Sequence, residues 1–262
     1  MPNLDDIVAS DPVRGLIWGP SGNGKTTVIG RMAEFEELRP IYIFDWDRRI
    51  TSMQATIDPK LWKFIHSDSY RDNTVPGEAF TSMVAKLERV AGEGFKTVGL
   101  DSMTFMMIGA MNRILALAGR PPNSVPQLQD YNALKSLVVD FITRLCSRQF
   151  NVMITCHEDS AKDDVTGRMF KAIDLTGKLA NTMPGYFNEF WHAEVVNLVG
   201  GNQSFVMRTR SDMTYAARTS YKLEPTEPNS SIWHKIMAQR KVTSERLQAQ
   251  KAQSATALST KV

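Results

Sequence analysis

A glycine-rich stretch near the start of the chain has the residue types that bind phosphate. It fits the pattern G-x-x-x-x-G-K-[S/T] at every position. Glycines let successive backbone N–H groups point at phosphate oxygens, the lysine reaches the β- and γ-phosphates, and the next hydroxyl holds Mg²⁺. The expected nucleotide-binding residues are Gly19, Pro20, Ser21, Gly22, Asn23, Gly24, Lys25, Thr26 and Thr27. This stretch predicts a site for ATP with Mg²⁺.

A carboxylate much further along the chain is the natural partner of this loop. Residues 95–100 form a mainly apolar run, and Asp101 follows it directly. After a phosphate loop, an acid at the end of an apolar strand is the residue type that binds the metal or its water ligands. We therefore expect Thr26 and Asp101 to be the metal-binding residues. The alternative is that Asp101 only caps the helix that follows.

The elements that must position these residues alternate between strands and helices. Apolar runs at 14–18, 41–44, 61–66, 95–100 and 151–156 predict strands, and 27–35, 76–91, 104–118 and 129–150 predict helices. Residues 4–10 could add a short helix, and 191–199 with 204–210 predict an antiparallel hairpin. Apolar strands alternating with helices predict an α/β fold with a mostly parallel central sheet and helices on both faces.

Composition limits the kind of protein and its compartment. The 262-residue chain carries a net charge of +3 and only two cysteines, Cys146 and Cys156, without metal-ligand spacing. These features favour a reducing, cytoplasmic environment over a disulfide or zinc scaffold. No apolar run is long enough to span a membrane, and the acidic N-terminus does not look like a secretory signal. We therefore expect no membrane partner.

The basic charge is concentrated at the end of the chain. Residues 235–262 contain six lysines and arginines against one glutamate. Prolines at 225 and 228 come shortly before this segment. We expect an ATPase domain at 1–228 and a basic, helical or partly disordered tail at 229–262. Such a tail could contact nucleic acid or could simply be solvated.

The order of these motifs resembles the core of RecA-type P-loop ATPases. It resembles in particular the phage-encoded RecA-like ATPases of the single-strand-annealing (Sak-type) recombinase group. The resemblance rests on the phosphate loop, Phe44–Asp47, Gly99–Ser102, Ile154–His157 and Arg208–Arg210, and it covers about residues 13–225. It implies a RecA-like fold and ATP hydrolysis.

The resemblance also implies roles for single residues. Asp47 stands where RecA-like proteins have a glutamate that orients the attacking water, and its side chain is one methylene shorter. His157 stands where these proteins have a polar residue that senses the γ-phosphate, although a histidine at a strand end can be purely structural. Arg208 and Arg210 match the spacing of two cationic residues that reach the γ-phosphate of the neighbouring subunit. Arg218 and Lys222 are alternatives for that task.

The partners implied by the resemblance are single-stranded DNA, further copies of the chain in a ring or filament, and a single-strand-binding protein. Segments 119–130 and 158–177 correspond to the loops that line the DNA path, but acidic residues offset the basic ones in the second. If the chain is phage-encoded, its compartment is the cytoplasm of the host cell. An alternative function is an ATP-binding assembly or regulatory module that oligomerises without nucleic acid. A small-metabolite kinase is disfavoured because we find no arginine-rich lid segment.

Overall fold

The structure is a computed structural model that describes residues 11–121, 124–162, 167, 169–198 and 200–259. The short helix expected at residues 4–10 lies outside this range, as does most of the turn between the strands at 158–162 and 169–173. No helix in the described part of the chain is both long and apolar enough to cross a membrane.

The described residues form ten strands and six α-helices. The strands are β1 Arg14–Trp18, β2 Ile41–Asp45, β3 Ile65–Ser69, β4 Thr97–Asp101, β5 Asn151–Cys156, β6 Glu158–Lys162, β7 Met169–Ile173, β8 Glu189–Asn197, β9 Gln203–Arg208 and β10 Thr226–Pro228. The α-helices are α1 Lys25–Arg31, α2 Glu78–Val90, α3 Met103–Leu117, α4 Leu128–Cys146, α5 Leu179–Thr182 and α6 Ile232–Ser259. Short 3-10 helices lie at Met32–Glu34, Ile50–Ala55, Pro59–Phe64 and Met183–Tyr186.

Eight of the strands form one sheet in the order β10-β9-β8-β1-β5-β4-β2-β3. The six strands from β8 to β3 are parallel, and β9 and β10 extend the sheet with antiparallel pairs. The other two strands, β6 and β7, form a separate hairpin. This arrangement confirms the expected fold class, an α/β core of the RecA-like P-loop type with C-terminal antiparallel strands.

The sheet register brings the expected site residues to one edge. β5 lies between the phosphate-loop strand β1 and the Asp101 strand β4, and Trp18 pairs with Cys156. On the other side of β4, Asp101 pairs with Asp45 of β2. The carboxyl ends of parallel strands meet at the same edge of a sheet, where open α/β sheets bind ligands.

Two apolar clusters, one on each face, hold the sheet between its helices. Helices α2, α3 and α4 cover one face, where the methionines of α3 (Met103, Met106 and Met107) are buried in the core. Helix α1 and the start of α6 cover the other face. Strands β1, β2, β4 and β5 are buried almost completely, which explains their continuous apolar runs.

One strand begins later than the apolar pattern predicts. We expected a strand at 61–66, but Pro59–Phe64 is a 3-10 helix and β3 begins at Ile65. The carboxylate of Asp58 accepts a hydrogen bond from the backbone N–H of Lys60, and Pro59 favours a helical start. This local capping explains why the apolar residues of the segment take a helical rather than an extended conformation.

The hydrophobic core extends into the last helix. We expected the compact domain to end at residue 228, but Ile232, Trp233 and Ile236 of α6 are fully buried. The indole N–H of Trp233 donates a hydrogen bond of 2.7 Å to the carbonyl oxygen of Val28 in α1. The three apolar side chains lie on one face of the helix because they are spaced by one and three residues. The start of α6 therefore supports the helix that follows the phosphate loop.

Candidate active site

The phosphate loop takes a conformation that requires glycine at specific positions. Gly19 and Gly24 have φ values of 147° and 78°, a region that L-residues with side chains rarely adopt. A Cβ atom at Gly19 would lie 2.5 Å from the carbonyl oxygen of Ala193, and one at Gly24 would lie 2.6 Å from Nδ2 of Asn229. The loop is therefore packed closely against β8 and the segment after β10.

Lys25 begins helix α1 and is buried within its own loop. Its Nζ donates to the carbonyl oxygens of Gly19 at 2.8 Å and Pro20 at 2.7 Å. Burial lowers the pKa of Lys25, while the carboxylates of Asp101 and Asp47 oppose that shift. The ammonium group is thus held over the loop, where it could exchange these carbonyls for phosphate oxygens.

The structure brings Thr26 and Asp101 into direct contact. The hydroxyl of Thr26 donates a hydrogen bond of 2.6 Å to Oδ2 of Asp101, and the hydroxyl of Thr155 in β5 donates to Oδ1. Asp101 is only 1% exposed. Burial raises its pKa to about 6, with a further contribution from the charge of Asp47, against the two hydroxyl hydrogen bonds.

The chemistry of this pair fits Mg²⁺. Hydroxyl and carboxylate oxygens are ligands that Mg²⁺ prefers, and an ion held by few protein ligands can also bind phosphate oxygens and water. Within the described residues no three His, Cys, Asp or Glu side chains are grouped as a self-sufficient metal site. Thr26 and Asp101 could therefore hold the ion only together with a bound nucleotide.

Asp47 lies beside this pair and is held from two sides. Ser102 donates a hydrogen bond of 2.5 Å to its Oδ1, and Nε2 of His157 lies 2.9 Å from its Oδ2. Burial pushes the pKa of Asp47 upward, but these two hydrogen bonds and the charge of Lys25 outweigh burial and leave the pKa below its usual value. The carboxylate is therefore ionised and oriented at neutral pH.

These residues open onto one cleft with a volume of about 660 Å³. Lys25, Thr26, Asp47 and His157 all line it. The cleft is also lined by residues that the sequence motifs did not predict, namely Arg31, Arg49, Ser52, Thr56, Phe205 and Asn229. Arg49 could have been predicted because it lies two residues after Asp47 in the sequence. In the structure its Nη1 lies 2.5 Å from Oγ of Ser21 in the phosphate loop. Phe205 and Asn229 carry no sequence signal.

The arginines expected to act across a subunit interface lie away from this cleft. Arg208 donates to Oε2 of Glu194 at 2.5 Å and to the hydroxyl of Thr226 at 2.8 Å. The expected strand at 204–210 ends at Arg208, so Arg210 follows it as an exposed residue, 3.5 Å from the carbonyl oxygen of Leu223. Neither side chain lines the cleft of its own chain.

The two alternative cations differ in their surroundings. Arg218 donates to the carbonyl oxygens of Pro184 and Phe187, so its guanidinium group is held by its own chain. The side chain of Lys222 is exposed, and its backbone N–H donates to the side chain of Gln239. Neither residue lines the nucleotide cleft.

The segments expected to line a DNA path show little free positive charge in their described parts. In 119–130, Arg120 forms an ion pair with Asp130. In 158–177, β6 and β7 form the hairpin, and Glu158 accepts from Lys171 at 2.6 Å and from His192 at 2.7 Å. Exposed apolar side chains are present in both segments, at Val125, Leu128, Met169 and Phe170.

Comparison with known proteins agrees with the phosphate-loop geometry. Residues 11–221 match the model of an AAA domain family. No curated protein matches the chain. Similar solved structures include a prototypical ATPase from the type III secretion system of pathogenic bacteria, with 12% identity, a TM-score of 0.46, and coverage of 70% of this chain and 52% of that one.

A second similar structure is the assembled ATPase EscN in complex with its central stalk EscO from enteropathogenic E. coli. Its identity is 13% and its TM-score is 0.46, with coverage of 74% of this chain and 46% of that one. The chain therefore spans about half the length of these structures. The family match covers most of the chain, and we conclude that the chain belongs to the AAA domain family and carries a P-loop ATPase domain.

Proposed function

We propose that this protein is a Mg²⁺-dependent ATPase that assembles on single-stranded DNA and promotes annealing or homologous recombination. The observation that carries the ATPase part is the 2.6 Å hydrogen bond between Thr26 and Asp101, directly beside Lys25 at the end of the phosphate loop. The resemblance of the ordered motifs to phage-encoded Sak-type RecA-like ATPases supports the DNA part.

In this proposal each residue of the site has a distinct task. Lys25 exchanges its two loop carbonyls for β- and γ-phosphate oxygens. Thr26 and Asp101 hold Mg²⁺, which neutralises phosphate charge when it is bound. The ionised carboxylate of Asp47 orients the attacking water and accepts its proton. His157 holds Asp47 in place and reports the γ-phosphate to the hairpin β6–β7, which follows it directly in the chain.

Hydrolysis in this proposal also depends on assembly. Arg210 is exposed and lies away from the cleft of its own chain, so it is available to a neighbouring molecule. Arg208 would first have to release Glu194. A guanidinium group supplied by the next subunit stabilises charge on the transferring phosphoryl group. The proposed partners are therefore further copies of the chain in a ring or filament, together with single-stranded DNA and a single-strand-binding protein.

The decisive experiment measures ATP hydrolysis with and without single-stranded DNA over a series of protein concentrations. We expect DNA to stimulate hydrolysis, the rate per molecule to rise with concentration, and Lys25→Ala to abolish the rate. Wild-type protein that hydrolyses ATP without any response to DNA would contradict the recombination part. ATP-dependent self-association that ignores DNA would instead favour the assembly or regulatory module. Addition of a single-strand-binding protein tests whether it alters the DNA stimulation.

A further inference from the structure

The nucleotide cleft continues beyond the phosphate loop. Arg31 lies one turn after Thr27 in α1, and both line the cleft. Phe205 at the start of β9 and Asn229 after β10 line it as well. A triphosphate bound by the loop therefore leaves adjoining space, bounded by these side chains, for the rest of a nucleotide.

Asn229 has a buried polar side chain without a partner in the described part of the chain. The residue is only 6% exposed, yet neither its Nδ2 nor its Oδ1 has a hydrogen-bond partner among the described residues. Its backbone is nevertheless fixed, because its N–H donates to the carbonyl oxygen of Phe205 at 3.0 Å. Buried amides are normally bonded, and leaving both atoms unpaired is costly. Both amide atoms are covered in this conformation, so a ligand that supplies a donor and an acceptor together would pair with them after the side chain turns toward the cleft that the residue lines.

Phe205 adds an aromatic surface beside that amide. Its side chain is 44% exposed although it belongs to the central sheet. A Cβ atom placed on Gly24 would lie 3.4 Å from Cδ1 of Phe205 and 2.6 Å from Nδ2 of Asn229, so both groups lie against the same glycine. An exposed ring next to an unbonded amide offers the two contacts by which proteins hold a nucleobase, stacking on its face and hydrogen bonding at its edge.

We propose that Asn229 recognises the base of the bound nucleotide as adenine, with Phe205 stacked on that base. Adenine presents N6–H as a donor next to N7 as an acceptor, and these complement Oδ1 and Nδ2 of one amide. Guanine presents two acceptors, N7 and O6, at the same edge, so one amide atom would remain unpaired. A phosphate group would satisfy only Nδ2. The inference rests on the nucleotide site of the proposed function and adds the choice of base.

The test compares affinities for the β,γ-imido analogues of ATP and GTP, with Mg²⁺, by isothermal titration calorimetry. The wild-type protein should prefer the adenine analogue by about ten-fold or more. Asn229→Leu should reduce that preference at least about ten-fold, because an apolar side chain of similar size can neither accept from N6–H of adenine nor donate to its N7.

Two further variants distinguish recognition from a structural role. Asn229→Ala should bring the two affinities close together without lowering the Tm of the nucleotide-free protein, because it breaks no side-chain hydrogen bond within the described chain. Asn132→Leu makes the same chemical change as Asn229→Leu at an exposed position of α4 and should keep the wild-type preference.

Results that differ from these expectations would contradict separate parts of the proposal. Equal wild-type binding of both analogues, or an unchanged preference in Asn229→Leu, would rule out base recognition by Asn229 while leaving the ATPase proposal intact. A change in the preference for ATP over its 2′-deoxy form, with an unchanged base preference, would assign Asn229 to the ribose instead. Wild-type protein that binds neither analogue would contradict the nucleotide site itself, and with it the proposed function.

Discussion

Among the single residues, Asp101 couples the candidate metal site to the stability of the protein. Burial raises its pKa to about 6, from an ordinary value near 4. A carboxyl group whose pKa is raised in the folded state destabilises that state where it is ionised. The resulting loss in the free energy of unfolding is absent below about pH 4, grows between about pH 4 and pH 6, and stays constant at higher pH. The proposed metal binding requires an ionised carboxylate at Asp101, whereas folding favours the protonated form.

We predict that Asp101→Asn stabilises the nucleotide-free protein at neutral pH. The amide carries no charge, and one of the two threonine hydroxyls can turn to accept from its Nδ2. The gain in the free energy of unfolding should be on the order of 1–3 kcal/mol at pH 7.5 and smaller at pH 4.5. Urea unfolding with EDTA present, at both pH values, measures it.

The matched control for this prediction is Asp11→Asn. It makes the same substitution at an exposed position and should change stability little at either pH. Equal effects of Asp101→Asn at the two pH values, or a loss of stability at pH 7.5, would contradict a raised pKa. Titration calorimetry should also show that Asp101→Asn weakens Mg²⁺-dependent nucleotide binding.

The sequence predicted only those site residues whose types and order along the chain have a chemical meaning. Lys25 and Thr26 belong to one loop, and Asp101 follows an apolar strand, so their meeting at one sheet edge could be expected. Ser102 follows the expected Asp101, and Thr155 lies two residues before the expected His157. Their hydrogen bonds with carboxylates depend on strand register and side-chain rotamers. Asn229 enters the site only because the chain returns to the phosphate loop after β10, which no local pattern shows.

Among the helices and strands, α6 shows how a tail can belong to the core. Trp233 contacts Trp191 with ring centroids 5.7 Å apart and bonds to Val28 on the back of the phosphate-loop helix. The charge pattern predicted a basic, helical or partly disordered tail outside the domain, because basic residues dominate the composition after residue 234. The three buried apolar residues at the start of the helix are too few to change the basic, polar composition of the segment.

We predict that truncation after residue 228 destabilises the protein severely. It removes Ile232, Trp233 and Ile236 from the core, a loss of about 5 kcal/mol or more from burial alone. Truncation after Gln253 keeps these contacts and should leave the Tm nearly unchanged. Thermal unfolding followed by circular dichroism compares the two. A folded, equally stable protein ending at residue 228 would refute the structural role of α6.

A single substitution isolates the hydrogen bond within this contact. Trp233→Phe keeps an aromatic side chain but removes the donor to the Val28 carbonyl oxygen, and it should lower the free energy of unfolding by about 1–3 kcal/mol. The same thermal unfolding experiment measures it.

The strands were predicted more accurately than the segments between them. β1 and β5 were expected at their observed positions, because buried parallel strands have apolar runs with clear ends. The expected strand at 61–66 was displaced by local capping at Asp58 and Pro59, and helix α4 ends at Cys146, four residues before the expected end. The first difference arises from a hydrogen bond at the end of the element, which hydrophobic periodicity does not report.

For the molecule as a whole, the separation of the arginines from the cleft leads to a prediction about mixed assemblies. Lys25→Ala subunits retain the arginines but lack a working phosphate loop, and Arg208→Ala/Arg210→Ala subunits have the opposite defect. If arginine acts across an interface, an equal mixture should recover up to about a quarter of the wild-type ATPase rate, because that share of interfaces combines intact halves.

The control for the mixture is each variant alone at the same total concentration, which should stay inactive. Size-exclusion chromatography with differently labelled subunits shows whether mixed assemblies form. Mixed assemblies without any recovered activity would contradict catalysis by these arginines across the interface.

The two edges of the central sheet restrict how such assemblies can be built. One edge is β10, a strand of three residues that ends in Pro228 and therefore lacks a backbone N–H there. The opposite edge, β3, presents exposed polar side chains including His66 and Asp68. Neither edge favours the pairing of strands from two molecules into one continuous sheet. In the proposed ring or filament, copies of this protein should therefore meet through side chains on loops and helices rather than by joining their sheets.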